Sequence, residues 1–169
     1  MVRAAVPMAV HGTVNRVETR YQWYELSGDW SWEPQVRRVR IAEGDLAVVA
    51  EQLGRPARGV VGIAARCRCG RPLVVRTAPR LDDGTPFQTT YYLTHPVLVA
   101  AASTLEANGV MKEMSERLVQ DEELAAAYRR AHEHYLAQRE ALGHVDEIDG
   151  ILAGGMPTRV KCLHVLVGH

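Results

Sequence analysis

Three cysteines and seven histidines carry most of the chemistry open to this 169-residue chain. Cys67 and Cys69 flank one arginine in RCRCGR, His95 stands in LTHP, and Cys162, His164 and His169 share the C-terminal VKCLHVLVGH. Two thiolates with two imidazoles are a usual tetrahedral zinc set. A helical C-terminal segment would place Cys162 and His169 on one face, nearly two turns apart, with His164 pointing elsewhere. The one-residue gap between Cys67 and Cys69 strains joint chelation, so one ligand is expected there, Cys67. The expected metal set is therefore Cys67, His95, Cys162 and His169, with Cys69 and His164 as additional donors. Zinc is the expected ion. An iron–sulfur cluster is the alternative, although it normally takes more thiolates.

Two other readings of the same residues stay open. Free cysteine is a small hydrophobe that packs well without any metal. A nucleophile is the other: Arg66, Arg68 and Arg71 around Cys67 would favour its thiolate, with His95 or His164 as base. No local motif of a known cysteine enzyme surrounds Cys67, and no catalytic residue is assigned. Three cysteines are too few for a disulfide scaffold, which points to reduced thiols and a cytoplasmic protein.

Formal net charge is zero, which argues against a dedicated nucleic-acid binder. The charge is uneven, however. Arg55 to Arg80 holds seven arginines and no acid, whereas Glu106 to Asp149 holds eleven acids against five bases. Solvated faces that pair across the fold explain this most simply. A pocket for an anionic substrate, lined by Arg66, Arg71 and Arg76 with Asp82 or Asp83 nearby, is the alternative. His132 and His134 in AHEHY lack the i, i+4 spacing of a zinc-protease helix and read as surface residues. No window approaches the ~18 apolar residues of a membrane span, and the apolar run of the first ten residues, broken by Pro7, reads as too short and interrupted for a signal peptide.

These residues must be positioned by an α+β fold: a small antiparallel sheet of about three strands against three to five helices. Residues 1–44 hold all three tryptophans and read as a β-like appendage or arm. Residues 45–169 read as one domain. Asp45 opens a helix that Gly54 and Pro56 close. Val60–Arg66 and Pro72–Thr77 read as strands joined by the CRCGR turn, and Thr89–Leu93 as a third. Pro96 suits a first helical position, with Gly109 as the stop signal. Val110 to Leu142 carries a helical stripe through Leu124, Tyr128, Ala131, Tyr135 and Leu142. Thr158–His169 is expected to be helical and stops without a cap. An antiparallel meander would return His95 to the sheet edge that carries Cys67 and Cys69.

The blocks RCRCGRPLVVRTAPRLDDGTPFQTTYYLTHP, LEANGVMKEM and GGMPTRVKCLHVLVGH, in this order, resemble the bacterial family called domain of unknown function 501, common in actinobacteria. The resemblance runs from about Asp45 to the end. It implies a family cysteine at Cys67, the KCLH motif at Lys161, Cys162, Leu163 and His164, and a histidine at His169. Relatives usually carry cysteine where this chain has His95, an exchange that a metal site tolerates and a nucleophile does not. Cys69 is less regular, proline is common at Gln88, and relatives typically extend beyond His169. The family supplies no activity. Its genes often neighbour those for enolase, a septum-formation initiator and an exopolyphosphatase, which implies a link to cell division or phosphate metabolism.

Overall fold

The computed structural model describes residues 40–151 and 153–169. The expected arm, with its tryptophans, lies almost wholly outside the described residues.

The chain adopts the expected α+β arrangement. Helix α1 (Asp45–Leu53) precedes strands β1 (Val60–Arg66), β2 (Pro72–Thr77) and β3 (Tyr91–Leu93). Helices α2 (Pro96–Ala107), α3 (Val110–Gln120), α4 (Glu122–Glu140) and α5 (Leu163–Gly168) follow. The sheet is an antiparallel meander in the order β1-β2-β3. Cys67 N–H donates to Arg71 O and Gly70 N–H to Cys67 O, both at 2.9 Å, closing the hairpin. Gly70 sits at φ 85°, a conformation that side chains resist and this turn requires.

Successive strand residues face opposite ways, and β2 shows the consequence. Val74 joins Leu93, Ala102, Val160 and Leu163 on the face covered by α2, α3 and α5. Val75 joins Val49 of α1 and Ile63 on the other face. The central strand is covered on both sides, which is why PLVVRT is almost wholly buried. A third cluster forms where Tyr135 of α4 meets Ala153 and Met156. Tyr135 is fully buried, and its hydroxyl accepts the Thr90 N–H at 2.7 Å.

Sequence patterning locates α1, β1 and β2 at their observed bounds, and Pro96 does open α2. Two expectations need correction. The helix expected over Val110 to Leu142 is two helices, broken at Asp121. That residue is extended, and its carboxylate accepts the Leu124 N–H at 2.9 Å, capping α4. The C-terminal helix spans only Leu163–Gly168. Upstream of it, Lys161 N–H donates to Gly154 O at 2.7 Å and Val160 N–H to Ser115 Oγ at 3.0 Å. Backbone donors bound this way cannot join a helical ladder. Gly155 allows that path, since a Cβ there would lie 2.8 Å from Arg159 O.

The basic stretch is matched by acids. Arg66 makes a two-pronged ion pair to buried Asp45 at 2.8 and 2.5 Å. Arg71 pairs with Glu51, Arg58 with Asp83 and Arg80 with Glu147. The Arg66 guanidinium holds the Asp45 carboxyl below the usual carboxylate range against the opposing effect of burial. The pair therefore stabilises the fold above the unfolded carboxylate pKa, and this is lost as pH falls through the lower folded value.

Two stability measurements test this packing. Tyr135→Phe leaves the Thr90 N–H without its partner and is expected to cost about 1–2 kcal/mol in urea unfolding. Asp45→Asn is expected to cost about 1–2 kcal/mol at pH 7, with the difference from wild type vanishing in acid below the carboxylate range. A pH-independent loss would contradict the ion-pair reading.

Candidate metal centre

The chemistry-bearing residues fall into three separate groups, not one. Cys67 and Cys69 are joined by a disulfide across the hairpin tip, so Cys67 is not a free ligand. His95 lies at the same edge of the sheet, its N–H donating to Leu73 O at 3.3 Å, as the meander requires. Its Nδ1 is buried with no hydrogen-bond partner among the described residues. His95 caps the start of α2, however, while the residues that meet Cys162 lie in that helix's last turns. Eleven helical steps separate the two ends by ~16 Å.

His169 is the second departure. Seven positions separate it from Cys162, ~10 Å of backbone rise across α5, at the opposite end of that helix. Its Nε2 instead lies 2.8 Å from His134 Nδ1, with the two rings stacked and Tyr91 and Tyr135 alongside. His134 is thus half-buried, and His132 is buried; neither is the surface residue expected. Burial, and then the nearby His134, push the His169 imidazole down to about 4.

The third group does converge. Among the described residues, Glu106, Cys162 and His164 are the one set of three or more His, Cys, Asp or Glu whose ligand atoms all lie within 4.8 Å of one another. Cys162 is the extended residue before α5, at φ −152° and ψ 114°. The chain turns helical just after it, which brings Cys162 Sγ to 3.9 Å from His164 Nδ1. His164 was expected to point away; the short helix reverses that. Glu106 comes from α2. Its Oε1 accepts the Leu163 N–H at 2.6 Å and lies 3.1 Å from His164 Nδ1. His164 Nε2 lies 3.3 Å from Ser103 Oγ, one turn earlier on α2. Burial alone would raise the Glu106 carboxyl, but the Leu163 N–H and His164 outweigh it and leave it lowered.

The geometry separates metal binding from nucleophilic catalysis. A cysteine–histidine–acid relay needs the thiol on one ring nitrogen and the acid on the other. Here both approach Nδ1. Ligands held ~2.0–2.3 Å from a tetrahedral ion stand ~3.3–3.8 Å apart, and one donor atom from each of these three residues lies within 4.8 Å of the other two.

A groove of about 590 Å³ opens beside the group, with Cys162 and His164 in its wall alongside Tyr91, Tyr92, Val99 and Val165. Among the described residues no Arg, Lys, Asp or Glu lines it. Among the described residues Arg66, Arg71 and Arg76 do not share one pocket. Arg66 and Arg71 turn to the acids of α1, and buried Arg76 lies over the Tyr91 ring with Nη2 3.5 Å from Gln138 O. Asp83 belongs to its own turn, accepting the Thr85 N–H at 3.0 Å. Sequence reasoning missed Glu106, although it lies in the LEANGVMKEM block.

Fold and site together define a small α+β domain with a Cys/His/Glu cluster at the start of its last helix. The family model described as a protein of unknown function, DUF501, matches residues 63–169, and the chain belongs to that family. A model for bacterial macroglobulin domain 6 matches residues 3–60, most of them outside the described part. No curated protein and no solved structure matches the chain. No helix among the described residues is long and apolar enough to cross a membrane.

The lowered His169 sets a pH dependence. The unfolded imidazole takes its proton near 6.5 and the folded one near 4, so stability is fully present above that window and falls as pH drops through it. Discounted for partial exposure, wild type should lose about 1–2 kcal/mol more between pH 6.5 and 4 than His169→Phe, which keeps the ring packing. Equal acid sensitivity of both proteins in urea titrations would contradict the assignment.

Proposed function

We propose that this protein is a metal-binding domain in which Cys162, His164 and Glu106 hold one divalent ion, zinc by the chemistry of the donors. The observation that carries the reading is the approach of three different donor types to one point, from two elements. Thiolate, imidazole and carboxylate are all zinc donors, and three protein ligands leave a fourth position for water or another molecule. A single thiolate does not suit an iron–sulfur cluster. Glu106 can serve both as cap of α5 and as ligand, since its Oε2 is not engaged by Leu163 or His164. The Ser103 hydroxyl beside His164 Nε2 would fix the ring so that Nδ1 faces the ion.

The ion's role in this reading is to fasten α5 to the end of α2. Function then lies in a surface or ligand that the fastened domain presents. A second reading, chemistry at the fourth position, is favoured by one observation: Cys162 and His164 both line the groove. A molecule lying there would supply the fourth ligand. The uncharged walls suit a neutral group rather than a phosphate.

Protein purified without an affinity tag should carry about one equivalent of zinc by elemental analysis. Chelation should lower its melting temperature by several degrees. Cys162→Ser and His164→Ala should each weaken zinc binding at least tenfold, whereas Cys67→Ser should not. Metal-free protein that melts unchanged after chelator and added zinc would overturn the proposal.

A further inference from the structure

We propose that Cys67 and Cys69 form a second, independent site: a two-electron thiol–disulfide exchange centre for cysteine thiols presented by a partner protein or by glutathione. The two residues are bonded in this structure and lie at the tip of the β1–β2 hairpin. Cys69, Arg68 and Gly70 are exposed and Cys67 is half-buried, so the bond faces an incoming thiolate.

The bridge adds little to the fold. It spans a sequence separation of two, and closing so short a loop removes almost no freedom from the unfolded chain. The hairpin is held by other means. Besides the two turn hydrogen bonds, Arg66 Nη1 donates to Gly70 O at 3.0 Å while the same guanidinium grips Asp45. Opening the disulfide therefore leaves the tip in place to close again, as a reversible centre requires.

The surroundings favour the thiolate that exchange must release. Cys69 N–H points at Cys67 Sγ, 3.1 Å away, and would donate to a thiolate there. Arg66 and Arg71 are committed to Asp45 and Glu51, while no ion pair is found for Arg68 among the described residues. Its charge stands between the two cysteines in sequence. A leaving thiolate stabilised by a backbone donor and a cation leaves faster.

The chemistry balances as follows. A partner thiolate attacks the exposed Cys69 Sγ, forming a mixed disulfide; the Cys67–Cys69 bond breaks and Cys67 leaves with the electron pair as a thiolate. A second thiolate, from the same partner or another glutathione, attacks the partner sulfur of the mixed disulfide, and Cys69 leaves as a thiolate. The chain gains two electrons and, as the thiolates protonate, two protons; the partner thiols become a disulfide. The reverse sequence reoxidises the chain.

The test uses the whole chain, trapped with iodoacetamide and weighed intact. In glutathione buffers of rising reduced-to-oxidised ratio, folded protein should gain two alkylated cysteines, Cys67 and Cys69, whatever the state of Cys162, with no change in circular dichroism. Reduced thioredoxin as the probe should do the same faster if the partner is a protein dithiol, and no faster if glutathione suffices. Cys67→Ser should accumulate a mixed disulfide on Cys69 with oxidised glutathione. Cys69→Ser should form one on Cys67 several-fold more slowly, and Arg68→Glu should slow opening of the native disulfide several-fold. Alkylation of Cys67 and Cys69 even in fully oxidised glutathione would overturn the proposal, as would a bond that excess dithiol opens only after denaturation. Zinc released on alkylation of Cys67 and Cys69 while Cys162 stays unmodified would also overturn it, since the pair would then be a metal site.

Discussion

The carboxylate of Glu106 ties the last turn of α2 to the first residue of α5, and most of the functional geometry follows from that tie. A six-residue helix is too short to hold itself in water, so its position depends on packing and on what caps it. Glu106 Oε1 takes the first N–H of the helix and meets the ring of its second residue. Leu163, between those contacts, is buried in the main core with Val74, Leu93 and Ala102. Charge and packing thus agree on where α5 begins. Cys162 is left just outside the helix, in an extended conformation that turns its sulfur toward His164.

That arrangement explains why the site is smaller than residue types suggest. His95 at the start of α2 is held apart by the helix from the Glu106 end where Cys162 lies, and the ends of α5 are held apart likewise. The hairpin tip keeps its two cysteines for each other. His169 joins an aromatic cluster with His134, Tyr91 and Tyr135, where a neutral ring packs better than a charged one. Sites with distinct chemistry can share a small domain this way, because rigid elements separate them.

Much of the fold is legible in the residues because local signals there agree with the tertiary outcome. Asp45, Gly54, Pro96 and Gly109 mark helix ends whatever the surroundings, and the β-branched runs VVGIAAR and PLVVRT on either side of a glycine-containing turn mark strands. The break at Asp121 is also written locally, as an aspartate before two glutamates, but the hydrophobic stripe on either side hides it. The site is less legible. KCLH names two members of the cluster, yet their geometry depends on where the helix starts, and that is set by a glutamate 56 positions upstream of Cys162. No periodicity within the last segment can report a cap supplied from another helix. The arginine-rich stretch misleads for the same reason: its partners, Asp45 and Glu51, lie on α1, outside the window that looks basic.

Cobalt substitution addresses the convergence of Cys162, His164 and Glu106 most directly. Metal-free protein titrated with cobalt(II) should saturate at one equivalent and show the near-ultraviolet band of a single thiolate–cobalt bond, together with visible bands of tetrahedral intensity. Both should disappear in Cys162→Ser and survive in Cys67→Ser. A spectrum with no sulfur contribution, or one that depends on Cys67 and not on Cys162, would contradict the site at the start of α5.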